Sequence, residues 1–158
     1  MKGFKLYINS KEIERVECCK YLGILIDSDL KWQDHINYVY NKLIQFTSIF
    51  YKIRKLPEEI LRMIYFASVH SHLLYGIEIY ANTTANHLSK LNVLNNRLLR
   101  IVRKKSIITD NNDLYKSYFT LPLQLLHQFN ILLFMHYYVY HRNKLPLLYF
   151  PLILWKVK

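Results

Sequence analysis

The residues best suited to chemistry in this sequence are cations in a long stretch without carboxylates. No Asp or Glu occurs between Glu78 and Asp110. The cations of this stretch are Lys90, Arg97, Arg100, Arg103, Lys104 and Lys105. Clustered positive charge attracts polyanions, and phosphate contacts supply much of the affinity of proteins for nucleic acids. The stretch therefore indicates a phosphate-binding surface, and the solvated face of a core helix is an equally weighted alternative.

Other residues that could hold a metal or act as nucleophiles form weaker patterns. Asp27, Asp29 and Asp34 could bind Mg²⁺ through oxygen ligands, but their place between a strand and a helix favours capping. Cys18 and Cys19 are adjacent and lack partners with zinc-site spacing, so we expect reduced thiols. No phosphate loop, dinucleotide-binding turn or metalloprotease motif is present in the sequence. We therefore predict neither catalytic residues nor metal ligands in this chain.

Composition and charge distribution limit the class of protein. The chain has 158 residues, 52% hydrophobic residues and a formal net charge of +11. That hydrophobic fraction predicts a folded domain and excludes a disordered tail. Residues 79–158 hold 11 Lys and Arg against 2 Asp and Glu, so most of the positive charge lies in the second half. The N-terminus has no long apolar run of the signal-peptide kind, and we expect a nuclear or cytoplasmic protein that is not secreted.

The N-terminal residues 1–27 are predicted to form a small β element. Apolar residues alternate with polar ones at Phe4, Leu6 and Ile8, which is the period of a half-buried strand. The run 21–26 is apolar and rich in β-branched residues, as in a buried strand. We expect a three-stranded antiparallel meander, which is too small to be stable without packing on another element.

Three helices are predicted to follow the β element. The first begins after a cap at Ser28 or Asp29 and ends before Pro57, where the second begins. The second is apolar nearly all round, which is typical of a central, buried helix. The third runs from about Thr84 to Lys105. Its apolar stripe comprises Leu88, Leu91, Leu94, Leu98 and Ile101, with the cations roughly opposite.

The C-terminal part, residues 110–158, is predicted to be a helical extension. A short helix is expected near residues 113–118, and a longer one from Pro122 to about Arg142. Residues 117–141 contain no Asp, Glu, Lys or Arg and are long enough to span a membrane. Their Gln, His and Asn side chains would be costly at mid-bilayer, so a buried amphipathic helix is favoured. The fold class is therefore mainly α, with a helical bundle and a small N-terminal antiparallel β element.

Five short segments together resemble one family, the reverse transcriptases of jockey-like non-LTR retrotransposons. Residues 20–27 resemble its "K-Y-L-G-x-x-x-D" segment, and residues 30–36 match its "L-x-W-x-x-H-I" stretch. Residues 71–77 match "S-x-L-x-Y-G", and residues 91–101 are similar to the "L-x-x-L-Q-N-x-x-x-R-x-I" helix. Residues 120–123 match the "L-P-L" before the last helix of the family. Each segment alone is weak evidence, but the order and register agree along most of the chain.

The resemblance implies a position within the polymerase. Residues 1–27 would be the primer-grip end of the palm, residues 28–109 a thumb-like three-helix bundle, and residues 110–158 its C-terminal extension. Lys20, Tyr21 and Gly23 would be primer-grip positions that seat the primer end. The partners implied are RNA, an RNA–DNA duplex, and the palm and fingers of the same polymerase.

The family's catalytic carboxylates lie in an "F/Y-x-D-D" motif, which is absent here. The Mg²⁺ of the intact polymerase would therefore be held elsewhere, and we expect no cofactor in this chain. We predict a template–primer-binding C-terminal fragment that does not polymerise by itself. The tail 151–158 does not resemble the family. Two alternatives stay open, a non-functional remnant of a retroelement and a protein-interaction module.

Overall fold

The N-terminal strands form two separate hairpins in the computed structural model, which describes residues 6–104 and 110–141. Strand β1 pairs antiparallel with β2, and β3 pairs antiparallel with β4. The strands are β1 Leu6–Ile8, β2 Lys11–Ile13, β3 Cys18–Tyr21 and β4 Ile24–Asp27. The predicted three-stranded meander is therefore wrong. Residues 14–17 adopt no strand conformation and separate the two pairs, so each strand bonds only to its neighbour in sequence.

Both hairpins turn through residues with positive φ. The φ angles are 49° and 64° at Asn9 and Ser10, and 45° and 83° at Leu22 and Gly23. Two consecutive positive φ values are the feature of the type I′ turn, whose twist suits a two-residue hairpin. At Leu22 this conformation is unfavourable for a side chain. It is held by the Tyr75 hydroxyl, which donates a hydrogen bond to the Leu22 carbonyl.

The rest of the described chain is helical, and the predicted mainly α class with a small N-terminal β element is confirmed. The helices are α1 Gln33–Ile53, α2 Glu58–Ile64, a π-helical segment Tyr65–His70, α3 Ser71–Leu74, α4 Ile77–Tyr80, α5 Ala85–Val102, α6 Asn111–Tyr118 and α7 Leu123–Tyr140. Helix α5 agrees closely with the predicted third helix. The predictions for residues 1–5, 105–109 and 142–158 lie outside the described residues.

The first helix begins later than its sequence predicts. Neither Ser28 nor Asp29 caps α1, whose N-cap is Trp32 in a left-handed conformation without a side-chain hydrogen bond. Instead the Asp27 carboxylate accepts hydrogen bonds from the backbone N–H groups of Lys31 and Trp32, at 2.9 and 2.7 Å. These bonds hold the pKa of Asp27 below its ordinary value. The carboxylate therefore organises the strand-to-helix loop and does not cap the helix, so the capping interpretation of these acids is wrong for α1.

The predicted second helix is divided and is only partly buried. Its buried residues recur every four positions, at Leu61, Tyr65, Val69, Leu73 and Ile77. A spacing of four overruns one α-helical turn by about 40°, and the wider π-helical segment absorbs part of that drift. The opposite side of α2 is exposed, with Met63 at 68%. The expectation of burial all round is therefore wrong, because only one stripe packs inward.

Helices α1 and α5 pack along their lengths and form the centre of the core. They run in the same direction, since Lys90 bonds to Asn37 near both helix starts and Lys104 approaches Leu56 after both helix ends. The predicted stripe of α5 faces α1 and is buried except at Ile101, which is half-buried. This arrangement brings the C-terminal ends of two helices together.

The last described helix contributes little to the core. In α7 only Leu123 and Leu126 are buried, and apolar side chains such as Leu132 and Val139 are 68% and 61% exposed. The prediction of a buried amphipathic helix is therefore wrong, because beyond Leu126 the described side chains of α7 are half-buried or exposed. Among the described residues, none of the helices has the length and apolarity needed to cross a bilayer.

Candidate nucleic-acid interface

A groove of about 850 Å³ lies where α1 and α5 end side by side. Its lining residues are Tyr51, Arg54, Lys55, Val93, Arg97, Arg100, Ile101 and Lys104. Three of the cations predicted from the sequence, Arg97, Arg100 and Lys104, are therefore brought together here. The groove contains no carboxylate among its lining residues, so its charge is uniformly positive.

Arg54 and Lys55 complete the groove and were missed by the sequence analysis. They follow the last turn of α1, just before Pro57, and both are exposed. In the sequence they are separated by more than forty residues from Arg97 and adjoin two acids, Glu58 and Glu59. The local charge therefore looked balanced. Only the same-direction packing of α1 on α5 places these cations opposite Arg97 and Lys104.

The groove cations differ in how firmly the protein holds them. Arg97 is exposed on α5. Arg100 is half-buried, with a guanidinium Nε shielded from solvent. Lys104 is exposed, and its Nζ lies 3.5 Å from the Leu56 carbonyl oxygen, a long and therefore weak contact. Arg97 and Lys104 lie at the surface, where they can form charge-assisted hydrogen bonds with phosphate oxygens.

Arg103 is oriented differently from its neighbours. Its Nε donates to a carboxylate oxygen of Glu58 at 3.2 Å, and its guanidinium lies 5.7 Å from the centre of the Tyr118 ring. It is absent from the groove lining and is partly neutralised. Burial raises the pKa of Tyr118 to about 12, so this phenol is neutral at physiological pH. Arg103 therefore ties α5 to α2 and α6.

Lys90 and Lys105 do not join the groove in the described structure. Lys90 Nζ donates to the Asn37 side chain and lies 5.7 Å from the centre of the Tyr40 ring. Lys90 thus bridges the starts of α5 and α1, two turns from Arg97. Lys105 lies outside the described residues.

The positions carried over as primer grip lie on the second hairpin. Lys20 is at the end of β3, with its Nζ 5.2 Å from the centre of the Tyr38 ring. Tyr21 is 65% exposed, and Gly23 forms the turn. None of the three lines the groove between α1 and α5. The predicted site residues therefore fall into two groups, one at each end of α1.

Comparison with known proteins gives no relative for this chain. It matches no protein-family model, no curated protein and no solved structure. The resemblance to reverse transcriptases thus rests on the five sequence segments alone, and function has to be argued from the residues and their geometry.

Proposed function

We propose that the groove between α1 and α5 binds the sugar–phosphate backbone of a template–primer nucleic acid. The observation that carries this proposal is the convergence of five cations from two helices on one groove without a carboxylate: Arg54, Lys55, Arg97, Arg100 and Lys104. Lys and Arg recognise phosphates through charge-assisted hydrogen bonds, and these contacts do not depend on base sequence. Tyr51 adds an aromatic surface on which a base or sugar can rest.

The resemblance of five sequence segments supports assigning the groove to a thumb-like part of a non-LTR retrotransposon reverse transcriptase. In that assignment Lys20, Tyr21 and Gly23 approach the primer end, and the palm and fingers supply the carboxylates and Mg²⁺. Mechanistically the chain positions a duplex and moves no proton or phosphoryl group itself. The preferred ligands are RNA and an RNA–DNA duplex.

The competing explanation for the cations is local stability. Both α1 and α5 end at the groove, and cations favour the partially negative C-terminal end of a helix. Under that explanation Arg54, Lys55 and Lys104 serve the helix ends and need no ligand. Replacing these side chains by alanine distinguishes the two explanations. Phosphate binding predicts a loss of nucleic-acid affinity, whereas a role at the helix ends predicts a loss of helix stability.

The test is duplex affinity of matched double variants, measured by fluorescence anisotropy with a labelled RNA–DNA duplex. Lys55→Ala with Arg97→Ala removes two groove charges and should weaken binding at least tenfold, since each charge-assisted contact contributes about 1.5–3 kcal/mol. Lys11→Ala with Lys116→Ala removes the same charge outside the groove lining and should weaken binding much less. Equal losses in the two variants would contradict the proposal.

The exposed face of α7 favours a second candidate, a protein-interaction module. Leu132, Met135 and Val139 are 68%, 48% and 61% exposed on a helix without a charged residue. Contiguous exposed apolar surface of this kind marks sites of association. Sedimentation of wild type and Leu132→Glu is the test, because a self-associating surface loses its association when it gains this charge.

A further inference from the structure

A second pocket lies near the start of α1, behind the turn of the β3–β4 hairpin. It encloses about 570 Å³, and its walls include Leu22, Tyr38, Val39 and Tyr75. This volume is within the range of about 300–1,000 Å³ that is typical of small-molecule sites. The walls are mostly apolar and aromatic, which suits a planar ligand. None of these wall residues lines the groove at the other end of α1, so the two sites are separate.

One lysine, Lys42, lines this pocket, and a second, Lys20, lies outside the lining but beside the Tyr38 wall. The Nζ atoms of Lys42 and Lys20 lie 4.6 and 5.2 Å from the centre of the same Tyr38 ring. Neither lysine forms an ion pair with a carboxylate within the described part of the chain. Hydrogen bonding to Lys42 is the main cause that lowers the pKa of the Tyr38 phenol, and Lys20 adds to it. Two ammonium groups that share one phenol and have no carboxylate partner in the described part of the chain favour an anionic ligand.

The pocket also includes a buried histidine with an unused donor. His35 is 2% exposed, and its Nδ1 accepts a hydrogen bond from the Leu25 N–H at 3.2 Å. Burial lowers the pKa of His35, so the ring is neutral and its proton sits on Nε2. Nε2 is buried and has no hydrogen-bond partner among the described residues. Solvent does not reach this nitrogen, so a ligand in the pocket contacts it only if the walls rearrange.

We propose that this pocket binds a single nucleotide, with its phosphate held by Lys20 and Lys42 and its base against Tyr38 and Tyr75. The recognised chemistry is a phosphate ester that carries a planar, hydrogen-bonding ring. It has two sources, a free nucleotide and an unpaired nucleotide at the end of a strand. The strand-end source rests on the proposed function, whereas the free-nucleotide source does not.

The first measurement is calorimetric titration of the full chain with adenosine 5′-monophosphate, adenosine and inorganic phosphate. The monophosphate should bind at least tenfold more tightly than either part, because only it engages the lysines and the aromatic walls together. Lys42→Gln and Lys20→Gln should each weaken monophosphate binding about tenfold. Lys52→Gln is the control, since Lys52 is exposed on α1 and lines neither site. Both lysine positions are exposed, and circular dichroism will verify that the variants fold.

The second measurement separates the two sources. A duplex with one unpaired terminal nucleotide should bind more tightly than a blunt duplex, and Lys42→Gln should remove that difference. Lys55→Ala with Arg97→Ala should weaken both duplexes and leave monophosphate binding unchanged. Monophosphate binding with no effect of the groove variant on duplex affinity would therefore overturn the proposed function alone. Absent monophosphate binding, or binding unaffected by Lys20→Gln and Lys42→Gln, would overturn the nucleotide pocket.

Discussion

Two glycines show how single residues fix the contact between the second hairpin and the helices. Gly76 has φ of +71°, and a Cβ atom there would lie 2.6 Å from Cδ1 of Ile24 on β4. Gly23 has φ of +83°, but its Cβ would meet Tyr75 only at an ordinary 3.4 Å. Both positions favour glycine for its backbone freedom. Only Gly76 is also required by close packing.

Gly76→Ala should therefore destabilise the protein more than Gly23→Ala. Backbone strain alone costs about 1–2 kcal/mol at either position, and Gly76→Ala adds a clash with a buried side chain that costs on the order of 1–3 kcal/mol. Urea denaturation of the two variants checks this difference. Equal losses of unfolding free energy would contradict the close contact between Gly76 and Ile24.

Buried histidines should make the stability depend on pH. Burial lowers the pKa of both His35 and His70 in the folded state. The unfolded chain therefore takes up more protons below about pH 6.5, its ordinary histidine pKa, and unfolding becomes easier as pH falls. The slope reaches at most about 1.4 kcal/mol per pH unit for each histidine.

His35→Asn should flatten this dependence, because the Asn side-chain oxygen can still accept the bond from the Leu25 N–H but does not titrate. Urea denaturation at several pH values between 7.5 and 5 gives the slopes of the two proteins. Part of the slope should persist through His70. A slope identical to that of wild type would show that His35 does not titrate as its burial requires.

Site residues that belong to the third predicted helix could be recognised from the sequence, and those contributed by other elements could not. Arg97 and Arg100 lie on α5 and Lys104 follows its end at turn-like spacing, so the acid-free stretch identified them. Arg54 and Lys55 follow the end of another helix, α1, and nothing local in the sequence links them to α5. The buried Nε2 of His35 was not predictable either. The chain has seven histidines, and only packing shows which of them are buried without a hydrogen-bond partner among the described residues.

The two hairpins differ at the scale of the element. Every residue of β1 and β2 is exposed. The β3–β4 hairpin has a buried Ile24, and it is bonded to the helices through His35 and Tyr75. A lone hairpin is marginally stable in water. The sequence predicted a weakly stable β element in residues 1–27. We now expect the β1–β2 hairpin to be less stable than the β3–β4 hairpin.

Hydrogen exchange should resolve this difference. Backbone amides of β1–β2 should exchange nearly as fast as unfolded peptide, because none of the described helices covers these exposed strands. Amides of β3–β4 should be slower, and those of α5 slowest, since α5 lies in the core. Equal protection of the two hairpins would contradict the different packing that the structure gives them.

Helix existence was predictable, whereas helix burial was predictable for α5 and not for α2 or α7. The apolar period of α5 identified both its extent and its inward face. From α2 onward the buried residues recur every four positions, and a π-helical segment accommodates this spacing. Local sequence preferences do not indicate such a segment. In α7 the uncharged sequence was interpreted as buried, but burial depends on which neighbours reach the helix. In α7 full burial ends at Leu126, and the described side chains beyond it are half-buried or exposed.

At the scale of the whole molecule, the proposed function is to hold nucleic acid without acting on it. The sequence contains no F/Y-x-D-D segment, and its one pair of adjacent carboxylates, Glu58 and Glu59, lies in the first turn of α2. Polymerases place paired carboxylates to hold two metal ions at the reacting phosphate. Primer extension on an RNA template, with Mg²⁺ or Mn²⁺, should therefore give no product with this chain alone. Template-dependent incorporation by the pure chain would overturn this interpretation.

The central claim is that the groove cations contact phosphates, and the salt dependence of duplex affinity tests it most directly. Each phosphate contact releases counterions, so log affinity falls linearly with log salt, and each lost contact lowers that slope by about one unit. Arg97→Ala with Lys55→Ala should therefore lower the slope by about two units. Lys11→Ala with Lys116→Ala should leave it nearly unchanged, since neither residue lines the groove. A groove variant with the slope of wild type and an intact helical spectrum would contradict the claim and leave these cations as a solvated helix face.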